Sequence, residues 1–504
     1  MRLIRFVCNI SVRIMNRILS AFLPIVGCFC FTSISFAQDT WSLQKCINHA
    51  FEHNIQIKQS DLGNVRADIG LLSAKGAFLP SINASGSHGY NIGMTVDPFT
   101  NEFATDAIQS NSFGLSSGIT LYNGFRNHLN LKRAEIGLEL AATNLERAQN
   151  DLTLLISSAY LNVLFQDEFV NIATLNLEAT KRQVDRMNKL VDAGAAPTSN
   201  LLDVQAQQAA DYAALISNEN ARFIAKLNLT QLLQLSSNEA ATFEIVIPTD
   251  TDMDSSYLPP SASNAINHAL RTFPEMRAAS LSLDDANINL DIAKTSYLPR
   301  LFGSYNFGSG YSANRKIPIG DPSYDLAELG QLADGTTVYY SGVTADGTQV
   351  IPLVPNYDQY EPVSFTNQLT DNINQSVFFS LSIPVFNGFG SRASVKQAEV
   401  GVLQSRYTQQ STEQALTQTI ESAWADAFAS QKNLLAQKAA LTSAELAFEN
   451  TKLKFESGAI SAIDYADSRT RLDNARVNMI RTRYDLLFKS KILDFYQGKA
   501  ITLR

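Results

Sequence analysis

Residues Ser112 to Phe125 read SFGLSSGITLYNGF, and 264 positions later Ser376 to Phe389 read SVFFSLSIPVFNGF. In the first stretch Phe113, Leu115, Ile119 and Leu121 alternate with Ser112, Gly114, Ser116, Gly118 and Thr120; in the second Phe379, Leu381, Ile383 and Val385 alternate with Ser380 and Ser382. A period of two sets apolar side chains on one face of a strand and small polar ones on the other. About ten residues of that pattern mark a membrane-spanning barrel strand, and a half-buried sandwich strand shows the same alternation. Weaker alternation runs through Ser81 to Tyr90 and Leu301 to Tyr311, so four strands are expected among hundreds of helical residues. Four strands cannot close a barrel, and an open edge cannot face lipid. Several chains must therefore share one barrel.

The shift of 264 also lays Gly194-Ala195 on Gly458-Ala459 and Asp203 on Asp467. Upstream, AKGAFLP (Ala74 to Pro80) matches AKTSYLP (Ala293 to Pro299) at a shift of 219, which leaves about 45 extra residues between these landmarks in the second half. The chain thus reads as an internal twofold repeat: 38–235, then a Ser-, Thr-, Asp- and Pro-rich linker at 236–260, then 261–504. Each half runs helix, strand, loop, strand, very long helix, tight turn, helix. The opening helices are expected at Asn54 to Ala77, stopped by Leu79-Pro80, and at Pro274 to Ser296. The extra residues form a loop at 312–370, rich in Asp, Gly, Pro and Tyr.

From Arg126 to Leu190 there is no proline, which predicts a helix of 65 residues, about 98 Å long. Leu131, Leu138, Leu145 and Leu152 repeat every seven positions between Ala134, Ala141, Ala148 and Leu155. That is a coiled-coil seam of large and small residues. Its counterpart, Gly390 to Glu456, keeps the length with more polar heptads (Gln409, Thr412, Thr419).

The first 37 residues read as a signal peptide: Arg2, Arg5, Arg13 and Arg17 precede an apolar run from Ile18 that closes on Ser35-Phe36-Ala37. Met15 is an alternative start, and Gly27-Cys28 an alternative lipoprotein site. Removing the leader takes four Arg and no acid, so the formal charge moves from -8 to -12 (36 basic against 48 acidic residues), which disfavours nucleic acid as a partner. Cys8, Cys28 and Cys30 leave with it, and Cys46 has no partner for a disulfide. Beyond the leader no run of 18 apolar residues occurs, so a membrane crossing must be a closed β-barrel.

Catalytic chemistry finds no home in these residues. Gly114-Leu115-Ser116-Ser117-Gly118 matches a serine-hydrolase elbow in letters, but that elbow needs a strand-to-helix turn and these serines sit inside a strand. His49 and His53 lie one helical turn apart around Glu52 without the H-E-x-x-H pattern or a third ligand, so no metal and no cofactor is expected.

The twofold repeat, the YNGF and FNGF turns and the Gly-Ala helix breaks together resemble the TolC family of outer-membrane efflux and secretion channels, over essentially the whole mature chain. The resemblance implies a homotrimer in which each chain gives four strands to a 12-stranded barrel in the outer membrane and helices to a long periplasmic α-helical barrel. It implies a passive channel, not an enzyme, in a tripartite efflux or type I secretion system, docked on a periplasmic adaptor and an inner-membrane RND or ABC-type transporter. The tips Gly194, Ala195, Ala196, Gly458, Ala459 and Ile460 would meet the adaptor, and Asp464 and Asp467 would ring the periplasmic gate. The basic residue that locks well-known members would stand at Ile460, and the position matching Asp464 in the first half is Asn200. What holds the entrance shut is therefore open. The long loop would be extracellular, with Tyr90, Tyr122 and Tyr305 as an interfacial girdle. The residues also leave a second reading, a structural or adhesive surface protein that uses the helices as a spacer.

Overall fold

The computed structural model describes residues 40–247 and 261–501, apart from 98, 100, 102, 105–106, 327, 332–335, 340–341, 344–348 and 351–352. The leader (1–37), with Met15 and Cys28, lies outside the described residues, as does 248–260 of the expected linker. Ser42 caps α1 (Leu43–His53), and Asn54 ends it while capping α2 (Ile55–Gly76) through its side-chain oxygen. Then come β1 (Ser81–Asn91), β2 (Ile108–Tyr122), α3 (Arg126–Asp192) and α4 (Thr198–Leu233). After a short turn of helix at Ser237–Ala241, the second half gives α5 (Ala262–Thr272), α6 (Pro274–Lys294), β3 (Arg300–Ser312), β4 (Asn374–Ser382), α7 (Gly390–Glu456) and α8 (Ala462–Tyr496). α3 and α7 each hold 67 residues, roughly 100 Å of helix.

The four strands form one antiparallel sheet in the order β1-β2-β3-β4, with β1 and β4 at its edges. Residues opposite each other in register share a face, which sorts the side chains as far as a bulge in β2 between Thr120 and Tyr122, where Leu121 drops out of register with β3. One face carries Ile82, Ala84, Phe113, Leu115, Ile119, Leu301, Tyr305, Phe307, Val377, Phe379 and Leu381. The other carries Ser81, Asn83, Ser85, Ser87, Ser112, Gly114, Ser116, Gly118, Ser304, Asn306, Gly308, Ser376 and Ser380. Ser116 and Ser117 lie within β2, away from any strand-to-helix turn. β4 stops at Ser382 because Pro384 follows, so Ile383 and Val385 fall outside the strand they were expected to extend. Tyr305 sits in the middle of β3, opposite Val377, rather than at a rim.

Strand turns into helix at the two N-G-F sequences by one device. Gly124 and Phe125 have φ of 68° and 63°, Gly388 and Phe389 61° and 63°. Two successive left-handed residues reverse the chain, and an aromatic there is rare. Asn123 holds the turn by accepting from the Asn127 backbone N–H, and Asn387 does the same for Ser391. A Cβ on Gly124 would also fall 2.8 Å from that of Leu298, so only glycine fits.

The main core gathers where α1 crosses the long helices: Leu43, Cys46, Ile47 and Ala50 pack against Ile156, Tyr160, Val163 and Leu164 of α3, Leu229 and Leu233 of α4, and Tyr484 and Leu487 of α8. Trp41 forms a parallel bridge with Ile245, and the Tyr160 hydroxyl lies 2.7 Å from the Val246 carbonyl oxygen, tying residues on both sides of the first half together. Leu155, expected in the seam, is 50% exposed; after Leu152 the buried positions step by four to Ile156 and Tyr160. This insertion turns α3 away from a two-helix seam into the crowded core. A smaller cluster joins Ala265, Ala269 and Phe273 to Leu416, Ile420 and Tyr496.

Between β3 and β4 the expected loop is built of short antiparallel ribbons: Lys316–Ile319 pairs with Gln359–Pro362, and Ser323–Leu326 with Leu353–Asn356. A short helix, Phe365–Asp371, leads back to the sheet. Among the described residues no helix is long and apolar enough to cross a membrane.

Candidate functional site

At the end farthest from the sheet, α3 turns into α4 and α7 into α8. Both turns close as Schellman motifs. Gly194 (φ 69°) donates to the Val191 carbonyl and Ala195 to Leu190 at 2.8 Å; Gly458 (φ 76°) donates to Phe455 and Ala459 to Lys454 at 2.8 Å. Gly194, Ala195, Gly458 and Ala459 are exposed, while Ala196 and Ile460 are half-buried. The next helices begin differently. Pro197 precedes α4 with no side-chain cap, whereas Ser461 and Asp464 form a capping box on α8: Ser461 Oγ accepts from the Asp464 N–H at 3.2 Å and donates to its carboxylate at 2.7 Å. Asp464 thus has a local partner, and Asp467, one turn on, is exposed.

The structure sets the two turns side by side, joined by a seam that sequence reading did not find. Nearest the tips Arg186 pairs with Glu456 at 3.6 Å, both well exposed. Above them Gln183 donates to the Tyr465 hydroxyl at 2.5 Å, and the Tyr465 ring stacks on Phe455. Higher still lies Arg469, only 7% exposed. Its guanidinium donates to Thr180 Oγ1 at 2.5 Å and to the Asn176 carbonyl at 2.7 Å, and it pairs with Asp211 at 3.3 Å and Asp473 at 3.7 Å. Asp211 also accepts from the Thr180 hydroxyl and, at 2.8 Å, from Gln207. One buried cation therefore ties α3, α4 and α8 through a planar fork that lysine could not reproduce. Burial pushes the Asp473 carboxyl above its ordinary value, against the pull of Arg469. The available signal was Thr180, a polar residue in the run of buried positions Val170, Ala173, Leu177, Thr180 and Met187. Its partner lies 289 residues away.

His49 and His53, weighed above for metal, instead stack ring on ring at 4.1 Å, with His49 edge-on to Trp41 at 5.1 Å. Burial, then the neighbouring His53, lower the His49 pKa.

Residues 47–234 and 265–498 match the model of the family described as outer membrane efflux protein. The chain belongs to the outer membrane efflux protein family. It is similar to outer membrane protein TolC of Escherichia coli K12, 23% identical over 461 residues that cover 91% of this chain and 81% of that one. It is likewise similar to the outer membrane efflux protein BepC of Brucella suis, 20% identical over 448 residues, covering 88% and 82%. The fold matches the crystal structure of CusC with a TM-score of 0.69 at 15% identity, covering 91% of this chain and 92% of that one. The outer membrane protein VceC of Vibrio cholerae matches with a TM-score of 0.68 at 14% identity, covering 91% and 96%. This efflux-family protein is thus an outer-membrane channel component with a helical domain in the periplasm, in a family of channel proteins rather than enzymes.

Proposed function

We propose that three copies of this chain close into one continuous conduit, with a 12-stranded barrel in the outer membrane and a helical tunnel in the periplasm, through which solutes pass passively while a partner supplies the energy. The observation that carries this reading is the open sheet, apolar on one face, Ser-, Gly- and Asn-rich on the other, with β1 and β4 at free edges. Lipid takes the apolar face and water the polar one. The free edges continue into the helices: α2 leads into β1 and exposes Leu62, Val65, Ile69 and Leu72 at heptad spacing, while α7 follows β4 and exposes Val400, Leu403 and Tyr407. Side against opposite side, head to tail, is a ring-forming contact. Two copies would give eight strands, a barrel filled by its own side chains; three is the smallest number that leaves an aqueous lumen.

Within this conduit 38–235 and 261–504 are two copies of one unit joined at 236–260, and the ribbons between β3 and β4 are extracellular. The hairpin tips Gly194, Ala195, Ala196, Gly458, Ala459 and Ile460 dock a periplasmic adaptor that leads to an RND or ABC-type inner-membrane transporter. Three copies of Asp464 and Asp467 ring the entrance as a cation-attracting gate, and the Arg469 knot holds the two hairpins of each chain together above it. Asp464→Asn with Asp467→Asn keeps a side chain able to cap α8 and should relieve block by multivalent cations in planar bilayers; unchanged block removes both residues from the gate.

The deciding experiment is photo-crosslinking in intact cells from probes at Ala195 and Ala459. Capture of a periplasmic adaptor is expected. Capture of none from either position, with the protein in the outer membrane, would favour the structural or adhesive surface reading.

A further inference from the structure

The polar face of the sheet is interrupted at its helix-proximal end. Phe302, opposite Thr120 and Ser380, and Phe378, opposite Ser304, belong by register to the Ser- and Gly-rich face. The Phe302 ring lies across that face, since a Cβ built on Gly118 would come within 2.7 Å of its Cζ. Phe378 is its diagonal neighbour on β4, and it is 60% exposed. Two large rings side by side make an apolar patch on a face otherwise built of serine, glycine and asparagine, and such a patch is where an apolar body can be held. Arg300, opposite Ser382, opens β3 on the same face and is exposed. Two residues along a strand are about 6.6 Å apart, so Arg300 stands one ring's length from Phe302. The electrostatic surroundings agree in sign. α3 and α7 both begin at this level, with Arg126 and Arg392 in their first turns and no acid in either. The C-terminal ends of α2 and α6 lie at the same level and offset those N-terminal ends, so it is the side chains, three arginines per chain with Lys75 in the last turn of α2, that bias this level against cations and toward anions.

We propose that Phe302, Phe378 and Arg300 form a selective collar at the inner end of the barrel lumen that binds amphipathic organic anions in transit, the rings taking the aromatic or alkyl body and Arg300 the carboxylate or sulfonate. The collar rests on the conduit reading above, in which the polar face lines the lumen and three copies repeat the triad around it. It sets which solutes linger, because a lumen of serine, asparagine and glycine offers an apolar body nothing to hold.

The test is current block of the full-length protein in planar bilayers, with naphthalene-2-sulfonate as the probe. Methanesulfonate supplies the charge without the body, and tetraphenylphosphonium an apolar body with the opposite charge. Naphthalene-2-sulfonate should block and methanesulfonate should not. Phe378→Ser, at an exposed position where folding is least at risk, should weaken the block about tenfold, equivalent to roughly 1.4 kcal/mol. Phe302→Ser should act alike if it folds without its ring over Gly118. Arg300→Gln should weaken block by naphthalene-2-sulfonate and leave that by tetraphenylphosphonium no weaker. Undiminished block in both Phe378→Ser and Arg300→Gln would overturn the collar while leaving the conduit standing, as would a loss confined to Phe302→Ser, which would assign that ring to covering Gly118. Absence of any current from the wild-type protein would overturn the conduit and the collar with it.

Discussion

α3 and α8 meet twice, and the chemistry of the two meetings is opposite. Near the middle of the molecule Leu161, Leu164 and Tyr160 of α3 share a core with Tyr484 and Leu487 of α8. Toward the tips Asn176, Thr180 and Gln183 face Asp473, Arg469 and Tyr465. Apolar contact is non-directional and survives small shifts of one helix along the other. A buried guanidinium shared among two carboxylates, a hydroxyl and a carbonyl has one good geometry, and leaving it strands a charge. The upper contact is therefore a pivot and the lower one a fastening.

Arg469→Met should break this contrast most severely. Removing the cation leaves the half-buried Asp211 and Asp473 without it, at a local cost somewhat below the roughly 3–5 kcal/mol of a fully buried pair. Hydrogen exchange should rise over 176–187 and 462–473 while the core around Tyr160 stays protected, and bilayer conductance should increase. Leu487→Ala is the matching lesion above: about 2–4 kcal/mol of global stability lost, with the lower seam unchanged relative to the rest. If both variants loosen the whole molecule equally, the two contacts are one cooperative unit and the distinction fails.

Ser461→Ala sharpens the comparison at lower cost. It removes the capping box that α8 has and α4, starting from Pro197, lacks. A loss of about 1 kcal/mol confined to exchange at the first turn of α8 is expected. Spread of the effect to Arg469 would mean that the cap and the knot act together.

Much of the sheet was legible because its alternation has a period of two and its faces differ so sharply. The long helices were legible for a simpler reason, the absence of proline between Arg126 and Asp192 and between Gly390 and Glu456. Leu155 misled because a heptad extrapolated from Leu131 cannot foresee the four-residue step that the core imposes. Phe378 lies in the run Val377-Phe378-Phe379, where alternation is locally lost and only register to β3 assigns the face. In the ribbons at 316–362, Pro318 and Pro355 stand within strands of four residues, too short and too broken to announce themselves. The Arg469 knot was out of reach altogether, since its members come from three helices and no local pattern pairs Asn176 with Asp473.

The smallest expected effect is the response of the lower seam to pH. Asp473 faces Arg469 and Asn176, with Arg476 and Asp211 close enough to be felt, and burial holds its carboxyl above the ordinary 3.8. The folded state then takes up a proton at higher pH than the unfolded chain does. Its contribution to stability accordingly grows as pH falls through the raised value, is complete below 3.8, and is lost as pH rises. Protonation costs Arg469 one of its two carboxylate partners but relieves the larger cost of burying that charge, so acid should on balance tighten the fastening. Asp473→Asn mimics the protonated side chain and should be the less pH-sensitive protein. Comparing exchange at 176–183 and 465–473 between variant and wild type at each pH cancels the intrinsic dependence of exchange itself. The wild type should be less protected than Asp473→Asn near neutrality, and the two should converge in acid. A difference that stays flat, or that widens as pH falls, would mean that Asp473 is ionised throughout and that both carboxylates are needed to hold the one arginine.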